Sequence, residues 1–293
     1  MTFDFTEWKK LYGFDLQLGI FPTQVVPKGG YKWVKLRGGK GGSLEPLSGK
    51  TLSNVQIVRT LDRGTDRYFK LKGVRPGDEH IVGKASGKTG EPYLVAMVRQ
   101  RKTIAIGMKL WRSKRKVNDI SKALTKVNQL YLSQANVRFT CSAGVQKIGK
   151  KESKAIKKKI GKRVDYSPDN NDFSELEAFF KHTQSAGVTM FFVPSLDNSD
   201  KGGDTNGTQR TIFRGSGKQR KVIFIEDKIS GPLENVSAHE LGHYLGLSHE
   251  TTSPNNIMYS QGSCASDGLL AVCPASTGQR EKIETTQVAT IHD

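Results

Sequence analysis

The feature that most constrains this chain is the run HELGHYLGLSH at residues 239–249. On a helix, His239 and His243 lie one turn apart on the same face, so both can bind one metal ion. Glu240 projects about 100° around the helix from His239 and can contact a water beside the metal rather than the metal itself. Gly246 can adopt the left-handed conformation that ends a helix, which allows His249 to return to the same ion.

The same run resembles the metzincin signature HExxHxxGxxH in full, and its LGLSH end is most similar to matrixins. Met258, in the phrase NNIMYS, fits the methionine turn that lies beneath the metal in that family. The resemblance implies that Zn²⁺ is held by His239, His243 and His249, and that Glu240 is the catalytic residue.

The activity implied by this resemblance is that of a zinc-dependent endopeptidase. Three neutral imidazoles leave zinc with a positive charge and an open position, and bound water then has a pKa of about 7. Glu240 would take the proton of that water during attack on the peptide carbonyl and deliver it to the leaving amine. An alternative stays open, namely a zinc-containing binding protein that acts through its basic surface and β-rich domain without proteolysis.

The subfamily is left open by the residues that follow the motif. Glu250 matches neither the matrixin serine nor the adamalysin aspartate at that position, and Ser260 replaces the tyrosine ligand of astacin-like members. A propeptide cysteine switch has no equivalent, because residues 1–140 contain no cysteine.

Two regions that differ in composition and hydrophobic pattern predict two domains. Residues 1–100 are rich in glycine and carry short alternating stretches between turn signals, a pattern typical of a small β-sandwich. The phrase YFKLKGVRPGDEHIVGKAS, followed by PYLVAMV, resembles bacterial immunoglobulin-like domains. Residues 101–293 alternate strands with helices. The predicted fold class is α+β, with a metzincin-type catalytic domain (twisted mixed sheet, active-site helix and methionine turn) after the β-sandwich.

The expected elements of the catalytic domain can be given from periodicity and turn signals. The predicted strands are KTIAIGMKLW, NVRFTCSAGV, VTMFFVPSL and KVIFIED. The predicted helices are residues 117–134, FSELEAFFKHTQ, ENVSAHELGHYLGLS and ETTQVATIHD. KVIFIED, or the turn before it, is the expected sheet edge that would bind substrate backbone by β-addition.

Basic residues dominate the charge, and the formal net charge is +18. Segments 100–116 and 147–163 hold much of the excess, so an anionic surface partner is one expectation and an ordinary solvated surface is the other. No aromatic residue interleaves the second segment, which disfavours nucleic acid. The expected main partner is a protein or peptide substrate, and no apolar run is long enough for a membrane span.

Three further features concern compartment and ions. Cys264 and Cys273 lie in one loop-like stretch and would form a disulfide in an oxidising compartment. The acidic segment 197–204 is either a calcium site or a polar loop. Residues 1–20 lack the charge and apolar run of a signal peptide. The resulting hypothesis is a bacterial effector or toxin, cytoplasmic before export and secreted by a route that needs no signal peptide.

Overall fold

The computed structural model describes most of the chain, in thirteen ranges. They are residues 2–3, 14–15, 23–37, 42–85, 88–165, 176–184, 187–197, 207–213, 219–229, 231–249, 256–259, 283 and 285–292. The chain divides into two compact units. The first comprises Met1–Lys102, Leu130–Arg138 and Lys282–Asp293, and the second comprises Thr103–Gln129 and Phe139–Glu281. Residues 130–138 and 282–293, which the sequence places in the catalytic domain, therefore group with the first unit.

The first hundred residues form two sheets. Their elements are β1 (Thr2–Phe3), β2 (Phe14–Asp15), β3 (Thr23–Pro27), β4 (Tyr31–Arg37), β5 (Ser43–Pro46), α1 (Gly49–Leu52), β6 (Val55–Arg63), β7 (Asp66–Gly73), β8 (Gly77–Ala85) and β9 (Lys88–Arg99). One sheet has the order β1-β4-β7-β6 and the other has the order β2-β3-β9-β8-β5. Alternate apolar side chains from both sheets join one hydrophobic cluster, to which Val34 and Phe69 contribute from the first sheet and Ile81 and Leu94 from the second.

A buried carboxylate joins the α1 region to β8. Glu79 is 5 % exposed. It accepts hydrogen bonds from Ser48 N (3.2 Å), Ser48 Oγ (2.6 Å), Ser53 Oγ (3.0 Å) and Asn54 N (3.0 Å). Burial alone would raise the pKa of Glu79, but the hydrogen bonds from Ser48, Asn54 and Ser53 outweigh it and hold that pKa below its ordinary value.

Glu79→Ala is expected to lower the free energy of unfolding by about 2–4 kcal/mol, because buried donors lose their acceptor. Since the folded-state pKa of Glu79 is depressed, its contribution is full above the ordinary carboxyl pKa and is lost as pH falls through the folded-state value. Urea unfolding at several pH values measures both effects. Asp78→Ala is the control, since that exposed carboxylate pairs with Arg99 at the surface and is expected to cost under about 1 kcal/mol. Equal losses in the two variants would contradict this account.

The rest of the chain is mixed α/β. Its elements are β10 (Lys102–Leu110), α2 (Val117–Ala135), β11 (Val137–Thr140), β12 (Val145–Lys147), α3 (Lys150–Ile160), β13 (Val164–Asp165), a 3₁₀ turn (Phe180–His182), β14 (Val188–Val193), β15 (Leu196–Asp197), β16 (Gly207–Phe213), β17 (Gln219–Glu226), α4 (Leu233–Tyr244) and α5 (Thr285–His292). The main sheet has the order β11-β10-β14-β17-β16, with β12 beside β10. Its strands β10, β14 and β17 are parallel, and β16 runs antiparallel to β17.

Two sequence predictions in this region are wrong. FSELEAFFKHTQ does not form one helix in its described part, residues 176–184, which contains only a short helical turn and the 3₁₀ turn. The reason is burial, because Leu176, Ala178 and Phe179 all enter the core, and that spacing does not follow one helix face. KVIFIED itself is also not the sheet edge, and the turn before it, residues 214–218, lies outside the described residues. It forms β17, which pairs with β14 on one side and β16 on the other.

The core on one face of this sheet is aromatic. Phe179 packs against Trp111, Phe191 and Phe224, with ring centroids 5.4, 4.9 and 5.1 Å away. Helix α3 covers the same cluster through Ile156 and Ile160. The packing of several aromatic rings in edge-to-face geometry anchors the sheet that carries the remaining elements.

The two basic segments differ in how much of each is exposed. Within 100–116, strand β10 is largely buried, with Ile104, Ile106, Met108 and Leu110 in the core, so this segment does not present a continuous cationic face. Segment 147–163 contains α3, whose lysines are exposed. Among the helices that the structure describes, none is long and apolar enough to cross a membrane.

Candidate metal centre

Helix α4 carries the motif and ends at Tyr244, four residues before the end of the predicted segment ENVSAHELGHYLGLS and just before Gly246. Gly246 has a positive φ of 93°, the left-handed region that favours glycine. Gly246 N donates to His243 O and Leu247 N donates to Gly242 O, both at 3.0 Å, which is the hydrogen-bond pattern of a Schellman motif. The prediction that Gly246 ends the helix is confirmed, and the reversed chain brings His249 back towards α4.

The three motif histidines form one cluster. One ligand atom from each of His239, His243 and His249 lies within 4.8 Å of the others. The ring centroids are 4.8 Å apart for His239 and His243, 5.2 Å for His239 and His249, and 4.6 Å for His243 and His249. His239 and His243 are half-buried and His249 is exposed, so the cluster is open to solvent on one side.

Backbone carbonyls orient two of these rings. His239 Nδ1 donates to Ile257 O and His243 Nδ1 donates to Leu247 O, both at 2.9 Å. A carbonyl only accepts, so Nδ1 carries the proton in both neutral rings and Nε2 keeps its lone pair for a metal.

The spacing of the ring nitrogens also fits zinc. The Nε2 atoms of His243 and His249 are 3.1 Å apart. Tetrahedral zinc with Zn–N bonds of about 2.0–2.1 Å would separate two ligand nitrogens by about 3.3 Å. The donor type, the tautomers and this spacing therefore suit Zn²⁺, and the three histidines are the group that could hold it.

The methionine turn lies directly beside the cluster. Met258 is fully buried, and its backbone N–H is fixed by Asn256 Oδ1 at 2.8 Å. Tyr259 N donates to Asn256 O at 3.1 Å, which closes the turn. The carbonyl that orients His239 comes from Ile257 in this same turn. The turn thus positions a histidine ring as well as filling space.

Glu240 lies inside the protein. The residue is 5 % exposed, and its Oε2 has no hydrogen-bond partner among the described residues. Burial raises the pKa of Glu240 to about 8, and the positive charge of Arg210 opposes that rise. The side chain of Glu240 also packs closely against β16, because a Cβ added at Gly207 would lie 2.9 Å from Glu240 Cγ. A buried carboxyl with an unused oxygen is suited to hold a water or exchange a proton.

The metal-free protein should show this buried carboxyl in its stability. Burial raises the folded-state pKa of Glu240 from 4.5 to about 8. Between these two pH values the carboxyl group is ionised in the unfolded chain and protonated in the folded one. The free energy of unfolding then falls by about 1.4 kcal/mol per pH unit across that window. Metal-free Glu240→Gln lacks this slope, so thermal melts of the two proteins should diverge as pH rises. Parallel pH profiles would show that Glu240 is not a buried acid in the metal-free state.

Some features of the site carry no sequence signal. The carbonyls of Ile257 and Leu247 belong to residue types that give no hint of their role, and Gly207 lies far from the motif in sequence. Other expectations lie outside the described residues, namely those for Glu250, Ser260, the Cys264–Cys273 pair and most of the acidic segment 197–204.

Comparison with known proteins supports the site's assignment at family level. The family model described as Matrixin matches residues 169–268. No curated protein matches the chain. A crystal structure of an ICAM-5 ectodomain fragment is similar over 29 % of this chain at 14 % identity, with a TM-score of 0.19, and the match spans 25 % of that fragment. The matrixin match and the cluster of His239, His243 and His249 together fit a metzincin-like zinc metallopeptidase.

Proposed function

We propose that the chain is a zinc-dependent endopeptidase in which His239, His243 and His249 hold the metal and Glu240 is the general base. The observation that carries the proposal is the buried carboxyl group of Glu240, with an unpartnered Oε2, one residue after a histidine of the three-histidine cluster. Carboxylates are expensive to bury without a partner, so a site that keeps one has a use for it.

The reaction assigned to Glu240 is proton transfer. When bound, zinc supplies a water of pKa about 7 and polarises the scissile carbonyl. Glu240 takes a proton from the attacking water on its carboxylate and then delivers that proton to the leaving amine. Positive charge beside the carboxylate favours the ionised form that this step needs, and Arg210 is one source of such charge.

Strand β16 is proposed to bind the substrate. It ends the described order of the main sheet and pairs with β17 on one side. An extended peptide can add to such an edge through main-chain hydrogen bonds, which favours cleavage within a chain. The first residue of β16 is Gly207, which lies against Glu240, so a peptide bound along this strand would pass the base.

Residues 1–100 are proposed to be a targeting domain, immunoglobulin-like in architecture, on a protein that works as a secreted bacterial effector or toxin. Support comes from the two sheets that share one hydrophobic cluster and from the texture of residues 1–100. A secretion assay tests the role, and a protein that stays inside the producing cell under all conditions would contradict it.

A peptide-library assay tests the proteolytic function. The zinc-loaded protein is incubated with a proteome-derived peptide library, and new amino termini are identified by mass spectrometry. We expect internal cleavages that a chelator abolishes and added zinc restores. Cleavage that is insensitive to the chelator would contradict the proposal. Zinc binding without cleavage of any library peptide would favour a binding protein instead.

A further inference from the structure

Helix α3 presents one face made entirely of lysine. At about 100° per residue, five exposed lysines fall within an arc of about 120°. This lysine face comprises Lys150, Lys151, Lys154, Lys157 and Lys158. It extends over about 12 Å of helix axis. The acidic residue of the helix, Glu152, lies outside the arc and contacts Gly149 at the helix start.

The like-charged pairs within this lysine face work against the helix that carries them. Lys154 has like-charged neighbours one turn away on both sides, at Lys150 and Lys158, and such pairs destabilise a helix. Lys150 and Lys151 also stand in the first turn, where the helix dipole disfavours cations, whereas Lys157 and Lys158 stand in the last turn, where it favours them. The helix is held instead by Ile156 and Ile160 in the aromatic core. An anionic partner would relieve this repulsion.

The lysine face lies on the side of the sheet away from Glu240. Along β16, alternate residues point to opposite faces of the sheet. Ile212 belongs to the cluster that α3 covers, whereas Gly207 has the opposite parity and lies against Glu240. The residue paired with Gly207 on β17 is Ile225. Ile225 is next to the cluster member Phe224 in the strand and therefore points to the other face of the sheet. A partner bound at α3 would therefore lie on the opposite face of the sheet from Glu240.

The chemistry of the face selects the kind of anion. No aromatic side chain stands among the lysines, so there is no platform on which bases of a single strand could stack. Arginine, the usual residue for bidentate phosphate recognition in nucleic acids, is absent from the helix. Clusters of four to eight basic residues on an amphipathic helix are typical of anionic lipid binding. Flexible ammonium groups spread along one helix face can each reach a separate headgroup of a planar anionic surface.

We propose that the lysine face of α3 docks the protein on the surface of an anionic phospholipid bilayer, with the catalytic helix α4 on the opposite side of the sheet. Binding is electrostatic and peripheral, since the apolar residues Ile156 and Ile160 are used by the core and are not available to insert between lipids.

Vesicle co-sedimentation of the full chain tests this proposal. The probes are phosphatidylcholine vesicles with and without about one third phosphatidylserine. We expect binding only to the anionic vesicles and its loss at high salt. Changing Lys150, Lys151, Lys154, Lys157 and Lys158 to Gln should weaken binding about 100-fold or more, while the same five changed to Arg should retain it.

A matched control removes the same charge elsewhere. It changes Lys114, Lys116, Lys122, Lys181 and Lys228 to Gln, all of them exposed residues outside α3. This control should lose less than about tenfold in binding. An equal loss in both variants, or equal binding to neutral vesicles, would overturn the proposal. So would tighter binding to a DNA duplex at equal phosphate concentration, which would identify a nucleic acid as the partner.

Circular dichroism checks that each variant is folded. If the five-residue Gln variant unfolds, vesicle binding of the Arg variant and of a triple variant with Lys150, Lys154 and Lys158 changed to Gln tests the proposal instead.

Discussion

Glu240→Gln is expected to lower kcat/KM for peptide hydrolysis by about 10²–10⁴-fold while leaving the zinc content unchanged. The amide keeps the shape of the side chain but cannot accept the proton of the attacking water. The histidine cluster should be unaffected, because His239 and His243 are oriented by backbone carbonyls rather than by Glu240. Steady-state kinetics and metal analysis on the same preparation measure both quantities.

The matched control for this variant is Glu234→Gln. Glu234 stands in the first turn of the same helix and pairs with Lys126. The Glu234→Gln substitution changes the same residue type on α4 at a distance from the histidines, so activity should stay within about threefold of wild type. If Glu240→Gln retains full activity, Glu240 is not the base. If the Glu240→Gln variant also loses zinc, its loss of activity is explained by the missing metal and does not test proton transfer.

His243→Ala is expected to weaken zinc binding by more than about 100-fold, since loss of an orienting partner alone costs about 10–100-fold. His243 contributes one ligand atom to the cluster and is itself held by Leu247 O. Activity should fall in parallel with zinc occupancy. Competition with a chromogenic chelator gives the affinity, and activity at several zinc concentrations shows whether occupancy limits the rate.

His80→Ala provides the comparison for the histidine variant. His80 is exposed on β8 in the first unit, so zinc affinity and activity should match wild type. Unchanged zinc affinity in His243→Ala would contradict the assignment of the metal centre to the three motif histidines. Restoration of activity by excess zinc would instead support it, because it would show that the variant fails through occupancy.

The fold was predictable where local pattern decides structure. Helical spacing in residues 117–134 and 284–293 gave α2 and α5, and the apolar run VTMFFV gave β14. The pattern failed around residues 176–184, where burial of Phe179 among the aromatic rings outweighs helical periodicity. It also failed for the order of strands, because the sheet edge depends on long-range pairing that no local signal specifies.

The candidate site was predictable to the extent that its geometry is local. His239, His243 and Glu240 share one helix, and Gly246 ends it with a positive φ as the motif requires. The orienting carbonyls of Ile257 and Leu247 were not predictable, since every residue carries a carbonyl. The contact between Gly207 and Glu240 likewise depends on the packing of α4 on β16, which brings together residues remote in sequence.

The most direct test of the central claim is a zinc titration of the metal-free protein, with bound zinc and peptide cleavage followed in the same sample. We expect cleavage to rise with bound zinc and to stop rising at one zinc per chain, and we expect Glu240→Gln to bind the same zinc without cleaving. Cleavage by the metal-free protein, or a full complement of zinc with no cleavage of any library peptide, would contradict it.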